Sequence, residues 1–193
     1  MKKIFRFQIQ IALLFMAVIA GIPSAAYAQF GNNGNVWEKI NIDIFCMPLI
    51  NQPGYENYSV SKELASKLQT MKNEETIKKE LTKLKFNTIN WTEKQEFDDQ
   101  TEEYYTITTC TYMYNSPTGR LTIEKEGETY LLKFPDEKTK TDFMKSVKAK
   151  GYKVIDDYKG TKRYQIPENR EAHWMGVTVE EEGNNVTIYP NYG

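Results

Sequence analysis

The chain has 193 residues, 26% of them charged, with 25 basic and 26 acidic side chains and a formal charge of −1. That balance argues against a protein held to nucleic acid by net charge. Two cysteines exclude a disulfide-dense scaffold, so an apolar core has to carry the fold.

The chain opens with Lys2, Lys3 and Arg6, followed by an apolar stretch from Ile9 to Ala20 that Gly21 and Pro23 end. Ala26 and Ala28 stand two apart, the small-residue spacing read by a signal peptidase. The layout predicts a signal peptide over 1–28 cut after Ala28, with a cut after Ala26 as the alternative. The apolar run is about half of the roughly 20 residues that span a bilayer. No cysteine follows it closely, so the lipid-attachment pattern is missing, and no later segment reads as membrane-spanning. The expected destination is outside the cytoplasm, periplasmic or secreted. The Lys-, Asn-, Ile- and Tyr-rich composition is of a bacterial kind. Without residues 1–28 the formal charge is −4.

Residues 29–35 are Gly- and Asn-rich and read as a flexible leader. Ile40, Ile42 and Ile44 alternate with Asn41 and Asp43, which predicts a half-buried strand with Cys46 on its apolar side. Pro48 and Pro53-Gly54 end it. Ser61 is a candidate N-cap for a helix with Leu64, Leu68 and Met71 on one face. Asn73 caps a second helix, with Glu74 and Glu75 in its first turn and Ile77, Leu81 and Leu84 as its buried stripe.

Phe86 to Trp91 reads as a strand and Asp98 to Glu103 as an acidic turn. Tyr104 to Tyr114, built from Tyr, Thr, Ile, Cys and Met, is the clearest strand. Asn115 to Gly119 is a turn, and the alternation at Leu121, Ile123, Tyr130, Leu132 and Phe134 predicts a hairpin through Glu126-Gly127. Pro135 and Asp136 begin a helix with Phe143, Met144 and Val147 buried and Gly151 as its C-cap. Tyr152 to Asp156 and Arg163 to Ile166 read as strands. Trp174 to Glu181 and Val186 to Tyr189 form a closing hairpin.

Self-similarity runs through this order. Leu121 to Gly127 is matched 56 positions later by Val177 to Gly183, and Ile77, Leu81 and Phe86 are matched at an offset of 66 by Phe143, Val147 and Tyr152. Ten extra residues between about Trp91 and Tyr114 reconcile the offsets. The predicted fold is α+β: two tandem helix-plus-antiparallel-sheet repeats, αβββ, in two layers. The first spans 36–134 with an N-terminal strand and an extra helix, and the second spans 135–193. This plan resembles the beta-lactamase-inhibitor-protein-like fold, two such repeats secreted by bacteria. The resemblance covers Ser61 to Tyr192 and brings no inhibitor motif, so it assigns no functional residue.

The sequence offers no assembled catalytic group. His173, the one histidine, sits in the Arg170–Trp174 loop, and Cys46 and Cys110 lie in predicted strand interiors, away from the positive settings that activate thiols. One histidine and two distant cysteines are inadequate for zinc, and the Asp98–Glu103 run lacks an EF-hand's ligand spacing. No metal, cofactor or catalytic residue is assigned, and the chain reads as a non-enzyme. For the cysteines two readings stand: a Cys46–Cys110 disulfide, or two separate buried thiols.

Tyrosine is the surplus that calls for a use, at 13 residues. Tyr104, Tyr112 and Tyr114 share one strand face, and if that face is the uncovered one it forms a candidate binding surface. Cross-strand pairing on a solvated sheet is the plain alternative. The functional expectation is an exported interaction module for an extracytoplasmic protein or glycan, inhibitors included. The alternatives are a structural component of the cell envelope and, behind it, an enzyme with an unrecognised site.

Overall fold

Short polar side chains start three of the helices, as their spacing predicts. Ser61 Oγ accepts the Leu64 N–H at 3.2 Å to open α1, Lys62–Lys67. Asn73 Oδ1 accepts the Thr76 N–H at 2.9 Å to open α2, Glu74–Lys83. Asp136 Oδ1 accepts the Thr139 N–H at 2.7 Å to open α3, Glu137–Ala149. Each bond satisfies a donor that the first helical turn leaves unpaired. A short α4, Pro167–Glu171, begins on proline, which has no N–H to lose there.

The computed structural model describes residues 39–116, 119–171 and 176–191, and it is a mixed α+β fold with a large antiparallel sheet. Two short strands, β1 (Cys46–Pro48) and β2 (Gln69–Met71), pair with each other. The remaining eight are β3 (Asn87–Asp98), β4 (Glu103–Ser116), β5 (Gly119–Glu126), β6 (Thr129–Lys133), β7 (Lys153–Tyr158), β8 (Thr161–Gln165), β9 (Gly176–Glu182) and β10 (Asn185–Asn191). They form one sheet in the order β3-β4-β5-β6-β10-β9-β8-β7. Helix α2 is followed by four of these strands and α3 by the other four, where three apiece were expected. The last strand of each set follows the expected hairpin, turned at Gly127 and Gly183, both at φ 54°. Strands β6 and β10 pair at the centre, so both sets share one ladder.

Register decides which face is core. Cys110, Lys125, Tyr130, Ile188, Val179 and Tyr164 lie side by side across six strands, and all are buried. Tyr112, Ile123, Leu132 and Val186 form the neighbouring row, each 0% exposed. The helices sit against this face: Ile77, Leu81 and Val147 are fully buried, and the Phe143 ring lies 5.5 Å from Phe134. The other face carries Thr111, Glu124, Leu131, Thr187, Glu180 and Arg163 in one row.

Two expectations are corrected here. The isoleucine alternation is not a strand: Ile42–Ile44 is a 3-10 turn. Ile40, Ile42 and Ile44 are all buried, while the Ile42 N–H donates to Ser146 Oγ on α3 and the Phe45 ring lies 5.4 Å from Tyr130. Asp43 reaches outward, where Lys150 holds its carboxylate at 2.8 Å and Lys72 donates to its carbonyl. Secondly, the Leu64–Leu68–Met71 stripe is not one helix. Leu68 turns extended (ψ 137°), its carbonyl accepts the Leu49 N–H at 2.9 Å, and Met71 pairs with Cys46.

Of the two readings of the cysteines, the structure has the separate thiols: Cys46 and Cys110 are both free and buried. Cys46 pairs with Met71 in the small ribbon and lies 3.7 Å from the Tyr152 hydroxyl, whereas Cys110 pairs with Lys125 in the large sheet.

Helix α4 also clamps the ribbon. Asn169 Oδ1 accepts the Gln69 N–H at 3.2 Å and its Nδ2 donates to the Gln69 carbonyl at 3.1 Å, so a side-chain amide mimics a strand partner. Gly176 permits this close approach, since a Cβ there would stand 3.0 Å from Asn169 Cβ. His173 and Trp174 lie outside the described residues, as do the signal-peptide and leader segments. No helix among the described residues is long and apolar enough to cross a membrane.

Candidate interaction surface

The structure separates the three tyrosines that the sequence groups together. Tyr112 is 0% exposed, in the centre of the core, so it cannot be part of an uncovered face. Tyr114 is half-buried, its ring 5.6 Å from Phe86. Tyr104 is 72% exposed. All three share one side of β4, as their parity requires, but the cover on that side stops short of Tyr104.

Strand length explains the difference. β3 and β4 have 12 and 14 residues, against 6 and 5 in β7 and β8. β5 pairs with β4 only from Ser116 back to Thr109, opposite Glu126. From there outward β4 has β3 alone, through Glu93↔Thr108, Gln95↔Thr106 and Phe97↔Tyr104 to Asp98↔Glu103. The result is a two-stranded arm reaching roughly 20 Å beyond the end of β5, at about 3.4 Å per residue.

A bulge sits at the arm's base: Asn90, at φ 52°, and Trp91 stand opposite the single residue Cys110. The extra residue shifts side-chain parity along β3 and increases local twist. Beyond it the Phe97 and Tyr104 rings meet across the strands on one face, centroids 5.0 Å apart and tilted by 55°, 48% and 72% exposed. Tyr105, 48% exposed, occupies the opposite face. Trp91 marks the base, with Lys78 Nζ of α2 held 4.2 Å over its ring. Phe97 and Trp91 belong to this surface although the sequence reading gave them no such role. Their signal was the run 92–103, too polar to be buried beside a helix.

The arm's polar groups are held in place. Lys94 Nζ reaches Glu96 Oε1 at 2.7 Å and the Tyr105 hydroxyl donates to Glu96 Oε2 at 3.1 Å. The bond from Lys94, followed by that from Tyr105, keeps the Glu96 carboxyl below its ordinary range. At the tip, Asp98 accepts the Gln100 N–H at 2.8 Å and the Thr101 N–H at 3.4 Å. The first of these bonds contributes most to holding the Asp98 carboxyl below its usual range. Gln95 Nε2 donates to Thr106 Oγ1 at 2.7 Å.

Between Trp91 and Thr109 the arm carries six carboxylates and one lysine, a formal −5 in a chain whose total is −1. Compared with known proteins, the chain matches no family model, no curated protein and no solved structure. The arm is therefore read on its own chemistry: exposed rings and carboxylates on a ribbon with solvent on both faces.

Two polar clusters elsewhere tie elements together. Lys140 of α3 reaches Glu181 Oε1 at 3.0 Å, Glu137 at 2.9 Å and the Gly183 carbonyl at 2.6 Å, while the Tyr164 hydroxyl donates to Glu181 Oε2 at 2.6 Å. Burial raises the Glu181 carboxyl, but the bonds from Tyr164 and Lys140 outweigh it and hold the group below its ordinary value. On the other sheet face Glu180 accepts from Arg163 at 2.5 Å and from the Tyr189 hydroxyl at 3.0 Å. Among the described residues no group of three or more His, Cys, Asp or Glu side chains could hold a metal ion.

Proposed function

We propose that the chain is an exported interaction module whose contact element is the projecting arm of β3 and β4. The observation that carries this is the exposure of Phe97, Tyr104 and Tyr105, at 48%, 72% and 48%, on a ribbon that no helix among the described residues covers. Large rings left in water are unfavourable in isolation and are enriched where proteins meet partners. A two-stranded ribbon is also marginal without a third layer or strand, so a partner adds what the arm lacks. The partner is an extracytoplasmic protein or glycan.

The same proposal takes the scaffold as a duplicated unit: two α-plus-four-strand repeats in two layers, of the beta-lactamase-inhibitor-protein-like plan. Its support is an ion pair repeated with inverted polarity. Glu74 of α2 lies 3.1 Å from Lys125 of β5. At the same offsets of 66 and 56 stand Lys140 of α3 and Glu181 of β9. On this reading the ten extra residues of the first repeat fall within the arm, which is added to a scaffold that folds without it.

The test is capture from native cell envelope by the protein without its signal segment, repeated with Phe97→Ser, Tyr104→Ser and Tyr105→Ser combined. The expected result is loss of a specific partner with an unchanged thermal melt. Capture that survives all three changes rejects the arm as the contact element.

A further inference from the structure

We infer that the free edge of β4 accepts a Lys- or Arg-rich extended segment of a partner polypeptide as an added β-strand. This rests on the reading of the arm as the contact element and specifies what it contacts. The Gly127 N–H donates to the Thr108 carbonyl at 3.0 Å, and Lys125 Nζ reaches the same oxygen at 3.2 Å. The main-chain groups of Thr108 therefore point toward the β5 side. In an antiparallel strand a residue's N–H and C=O point the same way, and successive residues alternate. Pairing from Glu103 to Thr109 runs without a shift, so the main-chain groups of Tyr104 and Thr106 point the same way as those of Thr108. Beyond the Gly127 contact no strand among the described residues pairs with them there. These unpaired groups form a docking rail of the kind used in strand addition.

Charge decides among occupants. Glu102 and Glu103 stand at the outer end of the rail and Glu126 at its inner end, and none of the three makes an ion pair among the described residues. Two arms of −5 repel each other, which disfavours a second copy, and the same sign disfavours an anionic bilayer or a nucleic acid. A cationic strand is attracted at both ends of the rail. Its lysines or arginines also meet the exposed rings of Tyr104 and Tyr105, one on each face.

The experiment uses the protein without its signal segment and three capped ten-residue peptides alternating Lys–Thr, Ser–Thr and Glu–Thr. Amide hydrogen exchange is followed at Tyr104 and Thr106, and affinity by titration at low and at raised salt. The Lys–Thr peptide is expected to slow both amides at least tenfold. It should bind at least tenfold more tightly than Ser–Thr, lose that margin as salt rises, and leave the Glu–Thr peptide without effect.

Thr106→Pro removes an outward donor and the Gln95 side-chain bond while sparing the main-chain bonds to β3, and should abolish protection at Tyr104. Glu103→Lys with Glu126→Lys reverses the charge at both ends and should reverse the peptide preference, which keeps the test decisive if the proline variant misfolds. No protection at saturating Lys–Thr peptide, or equal protection by all three peptides, overturns the inference. If envelope capture still depends on Phe97, Tyr104 and Tyr105, that outcome removes only the strand-addition chemistry and leaves the arm as the contact element.

Discussion

Lys125 of β5, 2% exposed at its side chain, is held by Glu74 of α2 at 3.1 Å and by the Thr108 carbonyl at 3.2 Å. In the second half of the chain the helix carries the lysine and the strand the glutamate. The two helix-to-sheet attachments use the same charge pairing with the signs exchanged.

Lys125→Glu sets two carboxylates together and should cost about 2 kcal/mol, less than the roughly 3–5 kcal/mol of a fully buried broken pair because Glu74 is partly exposed. Adding Glu74→Lys reproduces the arrangement of the second half and should restore more than half of the loss. Urea unfolding of the single and double variants measures this. A double variant no more stable than Lys125→Glu would contradict the equivalence of the two sites.

Tyr112 gives a contrast between ring and hydroxyl. The ring is fully buried in the central row of the sheet, whereas the hydroxyl meets no oxygen or nitrogen partner among the described residues and has only the weakly bonding Cys110 thiol. Tyr112→Ala should therefore cost about 3–5 kcal/mol, as large-to-small changes in cores do. Tyr112→Phe should be neutral or raise Tm, because it removes a buried hydroxyl that only a weakly bonding thiol partners. Tyr104→Ala, on the same side of the same strand, should leave Tm within about 2 °C.

Cys46 provides a pH signature. Burial first of all pushes its thiol up to about 12, only partly offset by the Tyr152 hydrogen bond and the Lys72 charge. A thiol in the unfolded chain ionises near about 8.5. Between those values the unfolded state has released a proton that the folded state retains, so stability falls as pH rises. The difference between parent and Cys46→Ala should move against the parent by up to about 1.4 kcal/mol per pH unit above roughly pH 9. At neutral pH the native thiol should resist alkylating reagents. Rapid labelling of Cys46 in the folded state would contradict this.

The sequence displayed local structure well and cover poorly. Ser61, Asn73 and Asp136 start helices because a short side-chain oxygen at the cap is a local interaction, readable without the fold. Hairpin glycines and the alternation through Leu121, Ile123, Tyr130 and Leu132 are local for the same reason. What failed depended on neighbours distant in sequence. Ile40, Ile42 and Ile44 alternate with polar residues, yet the segment is enclosed by helices and sheet, so its period did not mark a strand. Tyr104, Tyr112 and Tyr114 share a side of β4 as parity dictates, but parity says nothing of where β5 ends. The candidate surface was thus legible as aromatic and strand-borne, and illegible as an arm.

The most direct measurement replaces Gln95–Thr106 by Asn-Gly, joining the hydrogen-bonded pair Lys94 and Ile107 and keeping the Thr108 carbonyl that Gly127 and Lys125 use. Since the removed side chains bury little, Tm should stay within about 4 °C of the parent, while envelope capture falls to background. A shortened protein that melts like the parent and still captures the same partner in the same amount would contradict the assignment of contact to the arm.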